Sequence, residues 1–124
     1  MMGFWGSKGF TLVEVLIGLI ILSVGILAIT TVLVISTKGS YFSNHLSQAT
    51  ICAQDKLESL KNLPYNDFDL SSGQHNEGIL SGTIFSRQVI VVEDVGNSIK
   101  TITVVIDWAD QGNHSISFST IRAK

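Results

Sequence analysis

Hydrophobic and polar positions follow two different patterns along the first half of the chain. The 21 residues from Val15 to Ile35 include no charged side chain, and apolar or small residues occupy every face of a helix drawn through them. At ~1.5 Å per residue, such a helix covers roughly the 30 Å hydrocarbon core of a bilayer. A soluble core helix of that length would keep polar residues on one face. The pattern therefore predicts a helix that spans a membrane.

After Lys38 the apolar positions become one-sided. They recur three or four residues apart, as expected for one stripe of an amphipathic helix: Phe42, Leu46, Ala49, Ala53, Leu57 and Leu60. The opposite face is polar: Asn44, Gln48, Asp55, Glu58 and Lys61. One helix is predicted from about Thr11 to Asn62, ending before Pro64, because a residue that precedes proline avoids helical backbone angles. Residues 10–36 form its membrane-spanning or filament-core part, and residues 37–63 form its amphipathic continuation.

The remaining residues, 64–124, predict a small β-sheet head. Residues 64–82 are rich in Asn, Asp, Ser and Gly and are predicted as a connecting loop. Strands are predicted at residues 83–92, 99–108 and 114–121, separated by short glycine-containing turns. In the second strand Ile102, Val104, Ile106 and Trp108 share one face, opposite Thr101, Thr103, Val105 and Asp107; in the third strand Ile116 and Phe118 face together. The predicted fold is α+β, a long helix packed on a small antiparallel sheet.

Charge and cysteine content exclude some functions. The net charge of −2 provides no basic field, so nucleic-acid binding through phosphate contacts is not expected. Cys52 is the single cysteine, which excludes an internal disulfide. Its helical surroundings favour a small buried apolar residue over a reactive thiol.

The polar residues form no recognisable catalytic or metal-binding pattern. His45, His75 and His114 share no ligand spacing with one another or with Cys52. Asp67, Asp69 and Ser71 alternate like the start of a calcium loop, but Ser72 stands where that loop needs glycine, and Gly78 where it needs glutamate: a plain polar loop is favoured. No metal, no cofactor and no enzymatic activity are expected.

The start of the chain combines a short polar leader with an acid inside the apolar stretch. The sequence there is Lys8-Gly9-Phe10-Thr11-Leu12-Val13-Glu14. A secretory signal peptide would have a shorter apolar region, closed on its far side by a small-residue cleavage site. An acid in a spanning helix costs ~2.5–3.5 kcal/mol at the bilayer centre and less near the interface, so such acids usually have a partner.

This string resembles the prepilin processing motif of the type IV pilin and pseudopilin superfamily. The resemblance implies that prepilin peptidase removes residues 1–9 by cutting between Gly9 and Phe10, and that the new amine of Phe10 is methylated. It also implies an assembly role for Glu14, whose carboxylate would pair with the amine of Phe10 in its own or a neighbouring subunit.

Later segments resemble PilV-type minor pilins: Gln54 to Tyr65, Trp108 to Asp110, and Ser119 to Arg122. This resemblance implies a minor pilin of a type IV pilus whose partners are other minor pilins, the major pilin and the assembly machinery of the inner membrane. The chain would cross the bacterial inner membrane once, with its N-terminus cytoplasmic and its head periplasmic, and would then enter a filament.

Two alternatives stay open. The first is a minor pseudopilin of a type II secretion system, which the sequence does not separate from a minor pilin. The second is a membrane-anchored extracytoplasmic binding module that never enters a filament.

Overall fold

The computed structural model describes residue 9 and residues 11–124, which divide into two compact units at Ser43 and Asn44. Helix α1 (Leu12–Lys61) begins in the first unit and ends in the second. A short 3-10 helix (Phe68–Leu70) follows, and then four strands: β1 (Gly73–Ile79), β2 (Ser86–Asp94), β3 (Ile99–Ala109) and β4 (Asn113–Ala123). The predicted helix is confirmed to within one residue at each end.

In the first unit, α1 is apolar and exposed on all sides. Its large apolar residues from Leu12 to Ile35 are 44% exposed or more, and its most apolar 18-residue window has a mean hydropathy of 2.8 with no buried residue. The hydroxyl groups of Ser23, Thr30 and Thr31 donate to carbonyl oxygens one turn earlier, at 2.7–3.0 Å. The helix thus satisfies its own polar groups, as an element in hydrocarbon must. It is long and apolar enough to cross a membrane.

In the second unit, the end of α1 packs on a four-stranded antiparallel sheet with the strand order β1-β2-β3-β4. Ala49, Ala53 and Leu60 are the buried residues of α1. Because two of these three residues are alanine, the helix can approach the sheet closely. The sheet contributes Phe85, just before β2, with Val89 and Val91 of β2 and Ile102, Val104, Ile106 and Trp108 of β3. The predicted α+β arrangement is confirmed.

The predicted faces of helix and strands are also confirmed. In β3 the four core-facing residues are at most 4% exposed, whereas Thr101, Thr103 and Val105 are half-buried and Asp107 is exposed. Cys52 is half-buried and packs against the core, with Ile116 and Phe118 of β4. Phe42, the first residue of the predicted stripe, lies in the first unit and is 41% exposed.

One part of the prediction is wrong: the predicted loop of residues 64–82 contains strand β1. Its sequence, GQHNEGI, has almost no β-branched or aromatic residue, so composition favoured a loop. β1 is held instead by backbone pairing with β2, from Gly73 opposite Val91 to Ile79 opposite Ser86, with a bulge between Asn76 and Gly78. Glycine suits this strand because Gly73 and Gly78 have φ of 136° and 69°, which L-residues rarely adopt.

Glu77 attaches β1 to its neighbours through charge. Its carboxylate forms ion pairs with Lys56 of α1 and Arg87 of β2. Partial burial raises the pKa of Glu77, but the hydrogen bonds from Lys56 and Arg87 outweigh that effect and leave the pKa below its ordinary value. A strand with few apolar side chains is thus joined to both the helix and the sheet.

Two cationic side chains, Lys100 and Arg122, bind backbone carbonyl groups near the end of α1. Lys100, only 4% exposed, donates through Nζ to the carbonyl oxygen of Tyr65 at 2.7 Å and lies 4.3 Å from the centre of the Tyr65 ring. Arg122 of β4 donates to the carbonyl oxygens of Leu60 and Lys61, in the last turn of α1. A helix leaves its final carbonyls without internal partners, and a cation there also complements the helix dipole.

Trp108 provides a test of the assigned faces. It is 4% exposed and packs edge-on against Phe85 with ring centroids 5.8 Å apart. We expect Trp108→Ala to lower the free energy of unfolding by ~3–5 kcal/mol, as for large aromatic truncations in cores. Thr103→Ala, on the opposite face, loses one hydroxyl contact with Ser119 and should cost ~1 kcal/mol or less. Denaturant unfolding of both variants in detergent measures the difference; equal losses would contradict the assignment.

Candidate processing and assembly site

Gly9 has no structural reason of its own to be glycine. It lies at an exposed bend just before α1, and a Cβ atom built on it meets no heavy atom within 4 Å among the described residues, its chain neighbours aside. A requirement for a small residue at this position would therefore come from outside the described part of the chain. Phe10, the predicted methylation site, lies outside the described residues, as do residues 1–8 of the predicted leader.

Thr11 caps the N-terminus of α1. Its Oγ1 accepts a hydrogen bond from the backbone N–H of Glu14 at 3.1 Å, and its carbonyl oxygen accepts the first helical bond from Val15 at 3.1 Å. These bonds satisfy donors that the first helical turn would otherwise leave open. Sequence reasoning missed this role, although Thr11-x-x-Glu14 matches the capping-box pattern that marks helix starts.

Glu14 lies three residues after the cap, in the first turn, and is exposed. A negative charge there is favourable because the helix N-terminus carries a partial positive charge. Among the described residues, no cationic group forms an ion pair with its carboxylate. Lys38, the next cation along α1, is 24 residues away, roughly 36 Å along a helix. The carboxylate is thus open to a partner that the described part of the chain does not supply.

Gly18 and Gly25 lie seven residues apart on the apolar part of α1. A Cβ atom built on either glycine meets nothing within 4 Å in the described residues. Two small residues on one face permit another helix to approach closely, although glycine is also simply tolerated in spanning helices.

The head brings together two histidines that their sequence positions left unrelated. Asp110, in the β3–β4 turn, lies 2.9 Å from Nδ1 of His45 in α1 and 3.0 Å from Nε2 of His114 in β4. The hydrogen bond with His45 is the main reason that the pKa of Asp110 lies below its ordinary value. His75 is separate and bonds with the carbonyl oxygen of Ser71 at 2.9 Å. The contacts of Asp110 join α1 to the β3–β4 turn. The described residues include no cluster of three or more His, Cys, Asp or Glu side chains that could hold a metal ion.

Asp67, the first residue of the calcium-like spacing, has a local role. Its Oδ1 accepts the backbone N–H of Asp69 at 3.0 Å and caps the 3-10 helix. This favours the plain polar loop.

These features define a class of protein: an α+β chain with one exposed apolar helix long enough to span a membrane and a helix-on-sheet head. The chain carries the prokaryotic N-terminal methylation motif, the prepilin signal of type IV pilins, over residues 6–30. This match includes Gly9, Phe10, Thr11 and Glu14 and extends through 16 of the 21 residues of the apolar stretch, as far as Thr30. No curated protein and no solved structure matches the chain.

The Thr11 cap yields a local prediction. Thr11→Ala should destabilise the first turn of α1 by ~0.5–2 kcal/mol, because the Glu14 amide loses its acceptor. Hydrogen exchange of that amide, measured by NMR in micelles, should accelerate roughly two- to thirtyfold. Thr11→Ser keeps the acceptor and should leave exchange close to wild type. Equal exchange in all three proteins would show that the cap contributes nothing.

Proposed function

We propose that this chain is a minor pilin of a type IV pilus, a structural subunit that prepilin peptidase processes and that then takes part in filament assembly. The observation that carries the proposal is the match of residues 6–30 to the methylation motif, which extends into the part of α1 that is apolar and exposed on all sides. Such a helix requires an apolar environment, and two are available to a pilin: lipid before assembly and neighbouring helices after it.

The composition of α1 indicates which interactions favour its transfer from lipid into a filament. Lipid chains are about as apolar as leucine, so moving the helix from lipid into a filament core gains little from the hydrophobic effect. Packing and polar pairing must then decide the transfer. Glu14 is the acid of this apolar part, and its carboxylate is exposed.

Glu14 supplies the polar pairing in this proposal. Cleavage after Gly9 creates an amine on Phe10, four residues before Glu14 in the sequence. Pairing of the Glu14 carboxylate with the amine of an adjacent subunit would fix the axial step between the two helices. Partners are thus the major pilin, other minor pilins and the inner-membrane assembly machinery, and the head lies in the periplasm before assembly.

The finer assignment to a PilV-type minor pilin rests on segments that contact one another in the head. Arg122 binds the carbonyl oxygens of Leu60 and Lys61, and Lys100 binds that of Tyr65. Two of the segments that carry the resemblance, residues 54–65 and 119–122, thus meet in a joint at the end of α1, and Lys100, outside those segments, binds there as well. A minor pseudopilin of a type II secretion system would use the same joint, so the separation of the two needs a functional readout.

Cleavage at Gly9 is the first test. We expect Gly9→Leu to block processing, because a bulky side chain hinders entry of the extended backbone into a protease cleft, while nothing in the described chain opposes the larger residue. Mass spectrometry of the membrane fraction should show the wild-type chain starting at a methylated Phe10 and the variant retaining residues 1–9.

Gly18→Leu is the matched control, since it places the same side chain on an open glycine away from the junction. Its processing should persist. A wild-type chain that starts at any other residue, in cells with an active prepilin peptidase, would end the proposal.

Assembly is tested at Glu14. Glu14→Leu should leave membrane insertion and cleavage intact, because the junction is unchanged and leucine is favoured in a spanning helix. It leaves the partner amine unpaired in a poorly solvated site, so recovery in sheared pili should fall about tenfold or more at matched cellular levels, equivalent to ~1.4 kcal/mol. Asp55→Asn, which removes a charge from the exposed face of α1, should assemble normally.

The same strains separate the alternatives. Fewer pili with intact protein secretion supports the minor pilin, whereas lost secretion with normal pili assigns the chain to a type II secretion system. Equal recovery of wild type and Glu14→Leu in sheared pili would contradict the assembly role and favour an anchored module.

A further inference from the structure

The two edges of the head sheet differ in how they are protected. β1 has seven residues, a bulge and two glycines with positive φ, so its outer edge is short and irregular. β4 has 11 residues and pairs with β3 without interruption, from Ala109 opposite Asn113 to Ile99 opposite Ala123. It contains neither proline nor glycine, and Arg122 is its single Lys, Arg, Asp or Glu. Proteins usually protect exposed edges with bulges, prolines or charges, and β4 lacks these devices.

The register shows which backbone groups of β4 point away from the sheet. The Lys124 N–H donates to the Ser98 carbonyl at 3.1 Å, and the Asp110 N–H donates to the Gly112 carbonyl at 3.1 Å. Each bond lies one pair beyond an end of the β3–β4 register, which runs from Ile99 opposite Ala123 to Ala109 opposite Asn113. Because hydrogen-bonded pairs alternate in an antiparallel ladder, the even-numbered residues of β4 bond with β3 and the odd-numbered ones direct N–H and C=O outward.

These outward residues present little obstruction. They are Asn113, Ser115, Ser117, Ser119, Ile121 and Ala123, all exposed and none charged. In the part of the chain that the structure describes, no strand pairs with them. An extended segment laid there would find a regular row of donors and acceptors at the usual interstrand spacing of ~4.8 Å.

A groove runs beside this edge on the helix side of the sheet. It has a volume of about 530 Å³ and lies between the end of α1 and β4. Leu57 and Phe118, both half-buried, provide its apolar surface, while Glu58 and Lys61 of α1 provide one negative and one positive charge. A strand added to β4 would direct every second side chain to this side of the sheet. There Leu57 and Phe118 offer apolar contact, whereas the rest of the lining is polar: Gln54, Glu58, Lys61, Asn62, Ser119 and Thr120.

We propose that the edge of β4 binds an extended segment of a different protein chain as a fifth strand, with an apolar side chain in the groove between Leu57 and Phe118. Backbone hydrogen bonds give such strand addition its affinity, and the groove gives it specificity. A proline-free segment that alternates apolar and polar residues fits this surface.

Given the proposed function, a second copy of this chain does not fit the edge of β4. Copies stored in one membrane or packed in one filament direct α1 the same way. A two-fold pairing of β4 with β4 is antiparallel and would direct the two helices oppositely. The other edge of a second copy is β1, whose bulge interrupts regular pairing. The occupant is therefore a different chain of the same assembly.

Hydrogen exchange tests the proposal on the unaltered protein. In dilute micelles, the amides of Ser115, Ser117 and Ser119 should exchange fast, while those of Ile116, Phe118 and Thr120 are protected by β3. In sheared filaments all six should be protected, with the odd-numbered amides slowed at least tenfold. Odd-numbered amides that stay fast in filaments containing the chain would overturn the proposal, although the chain would still be a filament subunit.

Pairing of β4 with a second copy of the chain would be detected by the concentration dependence of hydrogen exchange. Protection of the odd-numbered amides that rises with concentration in the purified chain would show that β4 pairs with a second copy, and would overturn the choice of occupant.

A pair of variants at Ser117 adds an independent measurement. Ser117→Pro removes one outward N–H and no bond with β3, which is where edge strands tolerate proline. Recovery in filaments should fall about fivefold, the equivalent of one net hydrogen bond of ~1 kcal/mol, with cleavage after Gly9 unchanged. Ser117→Ala keeps the N–H and should match wild type. Equal recovery of the two variants would overturn the proposal, and if the proline variant fails to fold, the exchange experiment decides.

Discussion

The structure depends on one constraint: the two parts of a single helix require different environments, one apolar and one partly aqueous. Up to Ile35, α1 exposes large apolar side chains on every face and keeps its hydroxyl groups bonded to its own backbone. From Ala49 to Leu60 it buries one stripe against the sheet and leaves the other face to water. Neither environment could accommodate the whole helix, because the first part would be insoluble in water and the second part carries charges that lipid excludes.

The head is small, and polar contacts at its periphery supplement a compact apolar core. Arg122 binds the last carbonyls of α1, Lys100 secures Tyr65 just beyond it, and Glu77 joins β1 to helix and sheet. Asp110 joins the β3–β4 turn to His45 of α1. Each contact fixes a point where a loop or an irregular strand would otherwise separate from the core. Because solvent partly screens the ion pairs among them, those pairs contribute modestly to the free energy of unfolding.

The residues proposed for assembly differ from this periphery because they have few partners within the chain. A Cβ atom built on Gly9 would meet no heavy atom within 4 Å among the described residues, its chain neighbours aside, and the Glu14 carboxylate has no cation there. The outward groups of β4 are open in the same sense. Folding accounts for an acid at the helix N-terminus but not for its lack of a cationic partner among the described residues. Together these features are the surfaces expected of a subunit that is completed by other chains.

The sequence by itself determined α1, its two patterns, the faces of β3 and the prepilin signal, because each follows from local periodicity or from contiguous residues. The Thr11 cap was equally local and was missed through an overlooked T-x-x-E spacing. Only the tertiary structure decided that β1 is a strand, because GQHNEGI pairs through backbone bonds to β2 rather than through its own propensity. It alone also brought His45 to Asp110, at a sequence separation of 65, and Arg122 to Leu60 and Lys61 at the end of α1, at separations of 62 and 61. Such contacts depend on how the strands pack on the helix, and no local pattern records that.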